Sequence, residues 1–376
     1  MIPLSVPNIS GNELKYVKKC LESGWISTAG QYVKEFEESF STEVGVAESV
    51  STMNGTAALH LSLTQIVKQN SVILMPNITF VATANAISYT GAEPIFIDAE
   101  EEGWQMDLDI LEQFLEEDCI QEGKKVFHKK TNKLVAGIMI VHVQGNVCDI
   151  SRLLQIVEKY NLPLIEDAAE ALGSKYKNQH AGTFGDFGCY SFNGNKIIST
   201  GGGGMVVARS SDDLSKLRHL ATTAKTDPLR YYHDEVGYNY RLVNILSAIG
   251  LAQLEQLDKF VKRKQEISEI YKNELKDIKD ISFQKISKDV ESNQWLFTIR
   301  TSRMNDLLFY LNDNGVMSRP FWAPMNKLPM YKDRLFITRN NISNKLHESA
   351  LSLPCSTNIT NNELEIVVKS IRKFFS

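Results

Sequence analysis

Cysteine is scarce in this chain and is used singly. Cys20, Cys119, Cys148, Cys189 and Cys355 are the five in 376 residues, and none forms a Cys-x-x-Cys pair. An odd, scattered set excludes a closed disulfide framework, and reduced thiols point to a cytoplasmic protein. Long apolar runs are missing too: none approaches the roughly 18 residues that a membrane span needs, so no membrane association is expected. The start, Met1-Ile2-Pro3-Leu4-Ser5, lacks the basic region and apolar core of an export signal. Excess positive charge is absent, since 41 basic against 45 acidic residues give a net charge of −4. That balance leaves no electrostatic footprint for nucleic acid. The seven histidines show no metal-ligand spacing, and no metal is expected. Internal repeats and low-complexity tracts are also absent, so the length reads as two or three ordinary globular domains.

What the chain does have is an alternation of strand-like and helical stretches. Apolar runs at Val72–Met75, Pro94–Ile97, Ala136–Val141 and Leu162–Ile165 are separated by helical patterns at Thr79–Tyr89, Leu108–Leu115 and Ile150–Tyr160. Such alternation predicts an α/β fold with a mostly parallel sheet covered on both faces. Further strands are predicted at Cys189–Phe192 and Met205–Ala208. One amphipathic helix over Ile245–Phe260 would lead from a large domain, residues 1–250, into a smaller α/β domain, residues 251–376. The N-terminal segment is left free to pack elsewhere. Lys124, Lys125, Lys129, Lys130 and Lys133 mark either a solvated hairpin or a pyrophosphate contact.

The chemistry concentrates between Ile165 and Gly204. A buried strand ends in Glu166-Asp167, and Lys196 stands between Ser191-Phe192-Asn193 and the glycines 201–204. Pyridoxal-phosphate chemistry needs a lysine that can condense with a carbonyl carbon and a carboxylate that keeps a pyridine nitrogen protonated. Lys196 and Asp167 suit those roles, although each alone also reads as a surface lysine and a helix-capping aspartate. A third element joins them. Asn54-Gly55-Thr56-Ala57-Ala58 opens the apolar helix expected over Ala58–Val67, and N–H groups and a hydroxyl at a helix start make an anion site as well as an ordinary cap. Ser191 offers a second hydroxyl. Phe80 would lie on a ring face or in the core, and the glycine run suits close approach of backbone to a bound group. Trp25, Phe321 and Trp322 offer aromatic faces that stack on flat or sugar-like groups and Arg319 a guanidinium that grips phosphate, or the four pack at the domain junction.

Five motifs occur in a fixed order: Asn54-Gly55-Thr56-Ala57-Ala58, Thr79-Phe80-Val81-Ala82-Thr83-Ala84-Asn85, Glu166-Asp167-Ala168-Ala169-Glu170-Ala171-Leu172-Gly173, Ser191-Phe192-Asn193-Gly194-Asn195-Lys196 and Gly237-Tyr238-Asn239-Tyr240-Arg241. The set resembles the DegT/StrS family of nucleotide-sugar aminotransferases, from Ile2 to Pro354. Gly24–Gly30, the insertion 123–133, His142-Val143-Gln144-Gly145-Asn146 and Arg319-Pro320-Phe321-Trp322 resemble, within it, the legionaminic-acid type.

The resemblance implies a pyridoxal-phosphate-dependent transferase of fold type I, with a seven-stranded, mostly parallel sheet. It places Gly55, Thr56, Ala57, Phe80, Asp167, Glu170, Ser191, Asn193 and Lys196 around pyridoxal 5′-phosphate, with pyridoxamine phosphate as the intermediate form. Asn239 would reach the partner's cofactor phosphate across a homodimer. It also places Trp25, His142, Arg241, Arg319, Phe321 and Trp322 at the substrate. The implied reaction moves an amino group from L-glutamate to C4 of a UDP- or GDP-linked 4-keto-6-deoxyhexose, with a 2-acetamido sugar expected. Amination at C3 and a non-catalytic, cofactor-binding regulator are the alternatives. Lys196 separates the chain from relatives that carry histidine there and dehydrate the sugar.

Overall fold

The structure, a computed structural model, describes residues 1–227 and 229–376. Strands Ser71–Pro76 and Leu164–Asp167 are buried throughout, and Lys133–Val141 is buried from Val135 on, as apolar runs covered on both faces must be. The large sheet runs in the order Val50–Thr52, Gly204–Ala208, Phe187–Ser191, Leu164–Asp167, Lys133–Val141, Ser71–Pro76, Glu93–Ile97, Phe336–Ile337. Pairings from Phe187–Ser191 to Phe336–Ile337 are parallel, and Gly204–Ala208 is antiparallel to both its neighbours. The first seven strands of that order make the expected mostly parallel sheet. The lysine-rich insertion is an antiparallel hairpin, Cys119–Glu122 with Lys125–His128, attached to Lys133–Val141.

A second, antiparallel sheet joins Ser282–Phe283, Phe297–Arg300, Ala350–Leu353 and Arg319–Pro320. Strand pairings and hydrogen bonds cross the division at 250/251 read from the sequence, Val290–Glu291 pairing with Lys175–Tyr176 among them. Phe336–Ile337 joins the large sheet beside Glu93–Ile97, and at the N-terminus Ile2 bridges to Val316 while the Leu4 carbonyl accepts from Cys355 N–H.

Among the boundaries that differ from the sequence reading are those of three helices. The single helix expected over Ile245–Phe260 is two, Asn244–Leu254 and Leu257–Leu275. Leu254 and Leu257 both enter the core, so the apolar stripe continues across a break that periodicity does not reveal. Glu255, at the bend, accepts from Tyr16 Oη at 2.6 Å and Asn12 Nδ2 at 2.7 Å. The helix expected from Thr79 starts at Ala82, which leaves Thr79 and Phe80 outside it. The helix expected from Ala58 starts at Gly55, so Gly55, Thr56 and Ala57 form its first turn.

Candidate active site

Parallel strands deliver their last residues to one edge, and ligands in open α/β sheets bind there. Asp167 is the final residue of its strand, two residues beyond the apolar run Leu162–Ile165, and is buried. Its Oδ2 accepts from Thr83 Oγ1 at 2.7 Å and its Oδ1 from Ala169 N–H at 3.1 Å. Ser191 ends the neighbouring strand, and the turn beyond it carries Lys196. Both side chains line a cleft of about 430 Å³ shared by Gly55, Thr56, Phe80, Glu170, Asn193 and Trp322.

The phosphate end of this cleft is built by close packing. Asn54 caps the first turn, its Oδ1 accepting from Ala57 N–H at 2.8 Å. Among the described residues, the N–H groups of Gly55 and Thr56 and the hydroxyls of Thr56 and Ser191 meet no hydrogen-bonding partner. A Cβ on Gly55 would stand 2.9 Å from Ser191 Cβ, and one on Gly204 would stand 2.6 Å from the Asn54 carbonyl carbon. Gly204 therefore gives close approach to the turn that starts the helix, and glycines 201–204 do not line the cleft.

Lys196 is the only lysine lining the cleft. Its Nζ lies 3.8 Å from Glu170 Oε1 and 3.9 Å from the centre of the Trp295 ring. Burial pushes the amine's pKa down against the opposing charges of Glu170 and Asp167. Burial pushes Asp167 up, opposed by the Thr83 and Ala169 hydrogen bonds, and lifts Glu170 to about 7 against the pull of Lys196. Glu170 Oε2 also accepts from Gln144 N–H at 2.8 Å.

Unpartnered anion donors, a desolvated amine and a buried carboxylate in one cleft fit a group with a phosphate, a carbonyl carbon and a basic ring nitrogen. Phe80, 54% exposed, presents an aromatic face to the same space.

Glu170 also predicts a pH dependence. Its carboxyl ionises near 4.5 when exposed but near 7 in the fold, so rising pH charges the unfolded chain first and costs stability across that window. Glu170→Gln should therefore gain stability over the parent between pH 5 and 7, by up to about 3 kcal/mol at roughly 1.36 kcal/mol per unit, and hold a constant gain above. Melting of the cofactor-free proteins across that range checks it, and a gain independent of pH would contradict the buried, raised carboxyl.

Several residues named from the sequence lie outside this cleft. The Ala57 N–H is taken by Asn54. His142 is fully buried with Nε2 2.8 Å from Glu166 Oε2, a carboxylate that also accepts three backbone N–H groups, from Gly182, Phe184 and Gly185. Arg241 pairs with Glu37 at 3.0 Å, and Glu37 also holds Arg218 at 2.8 Å. Arg319 is exposed and donates to the Ser318 carbonyl at 2.8 Å, while Phe321 packs between Trp104 and Trp322. Trp25 is 59% exposed beside the end of helix Glu13–Ser23. Asn239 is exposed and bridges to Thr222. His219 gathers with Asp234 and Glu235 away from the cleft, in a partly exposed cluster that Lys216 also joins.

Of the lining residues not named from the sequence, Thr83 and Trp295 make the contacts that bear on Asp167 and Lys196. Thr83 lies inside a quoted motif, and its spacing of one helical turn from Thr79-Phe80 was the available signal. Trp295 comes from the distant C-terminal part, and nothing in its local sequence marks it. Among the described residues, no helix is long and apolar enough to cross a membrane.

The model of the DegT/DnrJ/EryC1/StrS aminotransferase family matches residues 7–372. GDP-perosamine synthase of Escherichia coli O157:H7 is 38% identical over 379 residues, covering 100% of this chain and 99% of that one. UDP-4-amino-4,6-dideoxy-N-acetyl-beta-L-altrosamine transaminase of Campylobacter jejuni is 30% identical, covering 94% of this chain and 92% of that one. A Streptococcus pneumoniae relative solved in its PLP form superposes with a TM-score of 0.89 at 26% identity, over 100% of this chain and 98% of that one. The chain belongs to the DegT/DnrJ/EryC1/StrS family, has the fold of its members, and is a pyridoxal-phosphate-dependent aminotransferase.

Proposed function

We propose that this aminotransferase moves an amino group from L-glutamate to C4 of a nucleotide-linked 4-keto-6-deoxyhexose. The observation that carries the reading is the cleft in which Lys196, Asp167 and the open helix start at Gly55-Thr56 face one another. Relatives whose names specify a GDP-linked aminosugar and a UDP-linked 4-amino-4,6-dideoxy sugar support a nucleotide-sugar acceptor and amination at C4. They lend no support to the legionaminic-acid type in particular, so GDP- and UDP-linked acceptors, with and without a 2-acetamido group, are all carried forward.

When bound, pyridoxal phosphate supplies the electron sink that makes a carbon beside nitrogen acidic. In this reading Gly55 and Thr56 N–H, with the Thr56 and Ser191 hydroxyls, would hold its phosphate, and Asp167 would pair with its ring nitrogen. Thr83 and Ala169 aim the Asp167 carboxylate, and Phe80 would cover the ring face. Glu170 would face the ring hydroxyl, and Asn193 lines the same cleft. Lys196 Nζ is the covalent anchor and, once released, the base that takes and returns the substrate proton. Its burial favours the neutral amine that such a base requires. Trp322 walls the substrate side. Glutamate should bleach the visible absorbance of the lysine-bound cofactor, and a suitable keto sugar should restore it. Absorbance unchanged by glutamate would favour the passive cofactor-binding reading.

The dimer belongs to the same proposal. Asn239, outside its own cleft and exposed, is free to reach a partner's phosphate site in an isologous pair, and Arg241 behind it is held by Glu37. Mixing Lys196→Ala with Asn239→Ala chains at limiting cofactor should then restore about a quarter of all sites, because half the dimers are mixed and each has one whole site. A mixture no more active than its parents would remove Asn239 from the partner's site.

A further inference from the structure

Trp295 is used by no step above, yet the structure fixes it at every polar atom. Its N–H donates to Asn293 Oδ1 at 2.9 Å, its carbonyl accepts from the buried Lys264 Nζ at 2.7 Å, and its indole Nε1 donates to the Asn195 carbonyl at 2.7 Å. Asn195 directly precedes Lys196. Asn293 Nδ2 in turn donates to the Glu170 carbonyl at 2.8 Å. One framework thus sets the indole plane, the backbone that carries the lysine and the backbone that carries Glu170. Trp322 lies nearly parallel to Trp295, at 16° with centroids 6.3 Å apart, and both rings face the cleft.

Against this plate, Lys196 Nζ stands 3.9 Å from the ring centre and makes no hydrogen bond among the described residues. Glu170 Oε1, at 3.8 Å, is beyond hydrogen-bond length. The amine is therefore seated by an aromatic face, a contact favourable to an ammonium and tolerant of a neutral amine. We propose that the indole face of Trp295 is the seat of the Lys196 amine whenever that amine is not covalently bound, which makes Trp295 a positioning residue for proton transfer. A lysine swings on a flexible four-carbon stem, so a released amine without a seat would spend most of its time away from the carbon it must serve.

The proposal rests on the role given to Lys196, and the test keeps the two apart. Trp295→Leu should lower kcat of the glutamate half-reaction, and exchange of the glutamate α-hydrogen with heavy water, by at least about tenfold, as misplacement of a reacting group does. KM for glutamate should stay within about twofold, since the proposed seat acts on the lysine amine. Trp295→Phe, which keeps an aromatic face, should recover most of the rate. In the cofactor-free protein, Lys196 of the Leu variant should react faster with trinitrobenzenesulfonate, followed by peptide mass. Should Leu not fold, Trp295→Met, of similar bulk without a π-face, takes its place. Normal exchange in the Leu or Met variant, equal losses in the Phe and Leu variants, or unchanged Lys196 reactivity would each overturn the seat. An active Lys196→Ala enzyme would instead overturn the role of the lysine.

Discussion

Lys196→Ala should abolish turnover while leaving a folded protein that still retains pyridoxamine phosphate. Among the described residues the lysine is the only amine lining the cleft, and the carboxylates Asp167 and Glu170 cannot condense with a carbonyl carbon in its place. Loss of general acid–base transfer alone costs about 10²–10⁴-fold, and loss of the covalent anchor adds to it. The phosphate end, by contrast, is made of Gly55, Thr56 and Ser191 and does not involve the lysine. Single-turnover assays with equilibrium dialysis of pyridoxamine phosphate measure both halves of the expectation. Turnover within tenfold of the parent would remove Lys196 from the chemistry.

Asp167→Asn is expected to cost less but to act through the same ring. An amide in place of the buried carboxylate cannot hold a proton on the pyridine nitrogen, so the electron sink weakens. The loss should reach roughly 10³–10⁴-fold in kcat, comparable to other sites where a buried orienting carboxylate becomes an amide. The fold should survive, because Thr83 Oγ1 can still donate to the amide oxygen and the substitution removes a charge that burial disfavours. Stopped-flow kinetics of the glutamate half-reaction, beside a melting curve, separate the two effects. A loss below tenfold would make Asp167 a structural residue.

The parts of the site that the sequence makes legible are those fixed locally. Asp167 is readable because a fully apolar strand must end somewhere, and a carboxylate at that end is out of place in a core. Gly55-Thr56 is readable because helix starts have a chemistry of their own. Trp295 is not readable in this way: it lies just before strand Phe297–Arg300 of the second sheet, 99 positions beyond Lys196, and no local pattern encodes their contact. Trp25, Arg319 and Arg241 show the converse. Aromatic and guanidinium side chains suit sugar and phosphate, yet exposure or ion pairing takes each of them away from the cleft of its own chain. The helix break at Glu255 escaped notice because both helices bury the same stripe, so periodicity continues through a bend.

The central claim is a transfer of nitrogen to a sugar carbon, and following that nitrogen tests it most directly. The purified protein should be incubated with heavy-nitrogen-labelled L-glutamate and separate GDP- and UDP-linked 4-keto-6-deoxy sugars, with and without a 2-acetamido group. Product mass and the carbon-bound nitrogen signal are then read by mass spectrometry and NMR. The expected result is labelled nitrogen on C4 of one of these sugars, with 2-oxoglutarate formed in equal amount. Labelled nitrogen at C3, or glutamate consumed with no labelled sugar in any arm, would contradict it.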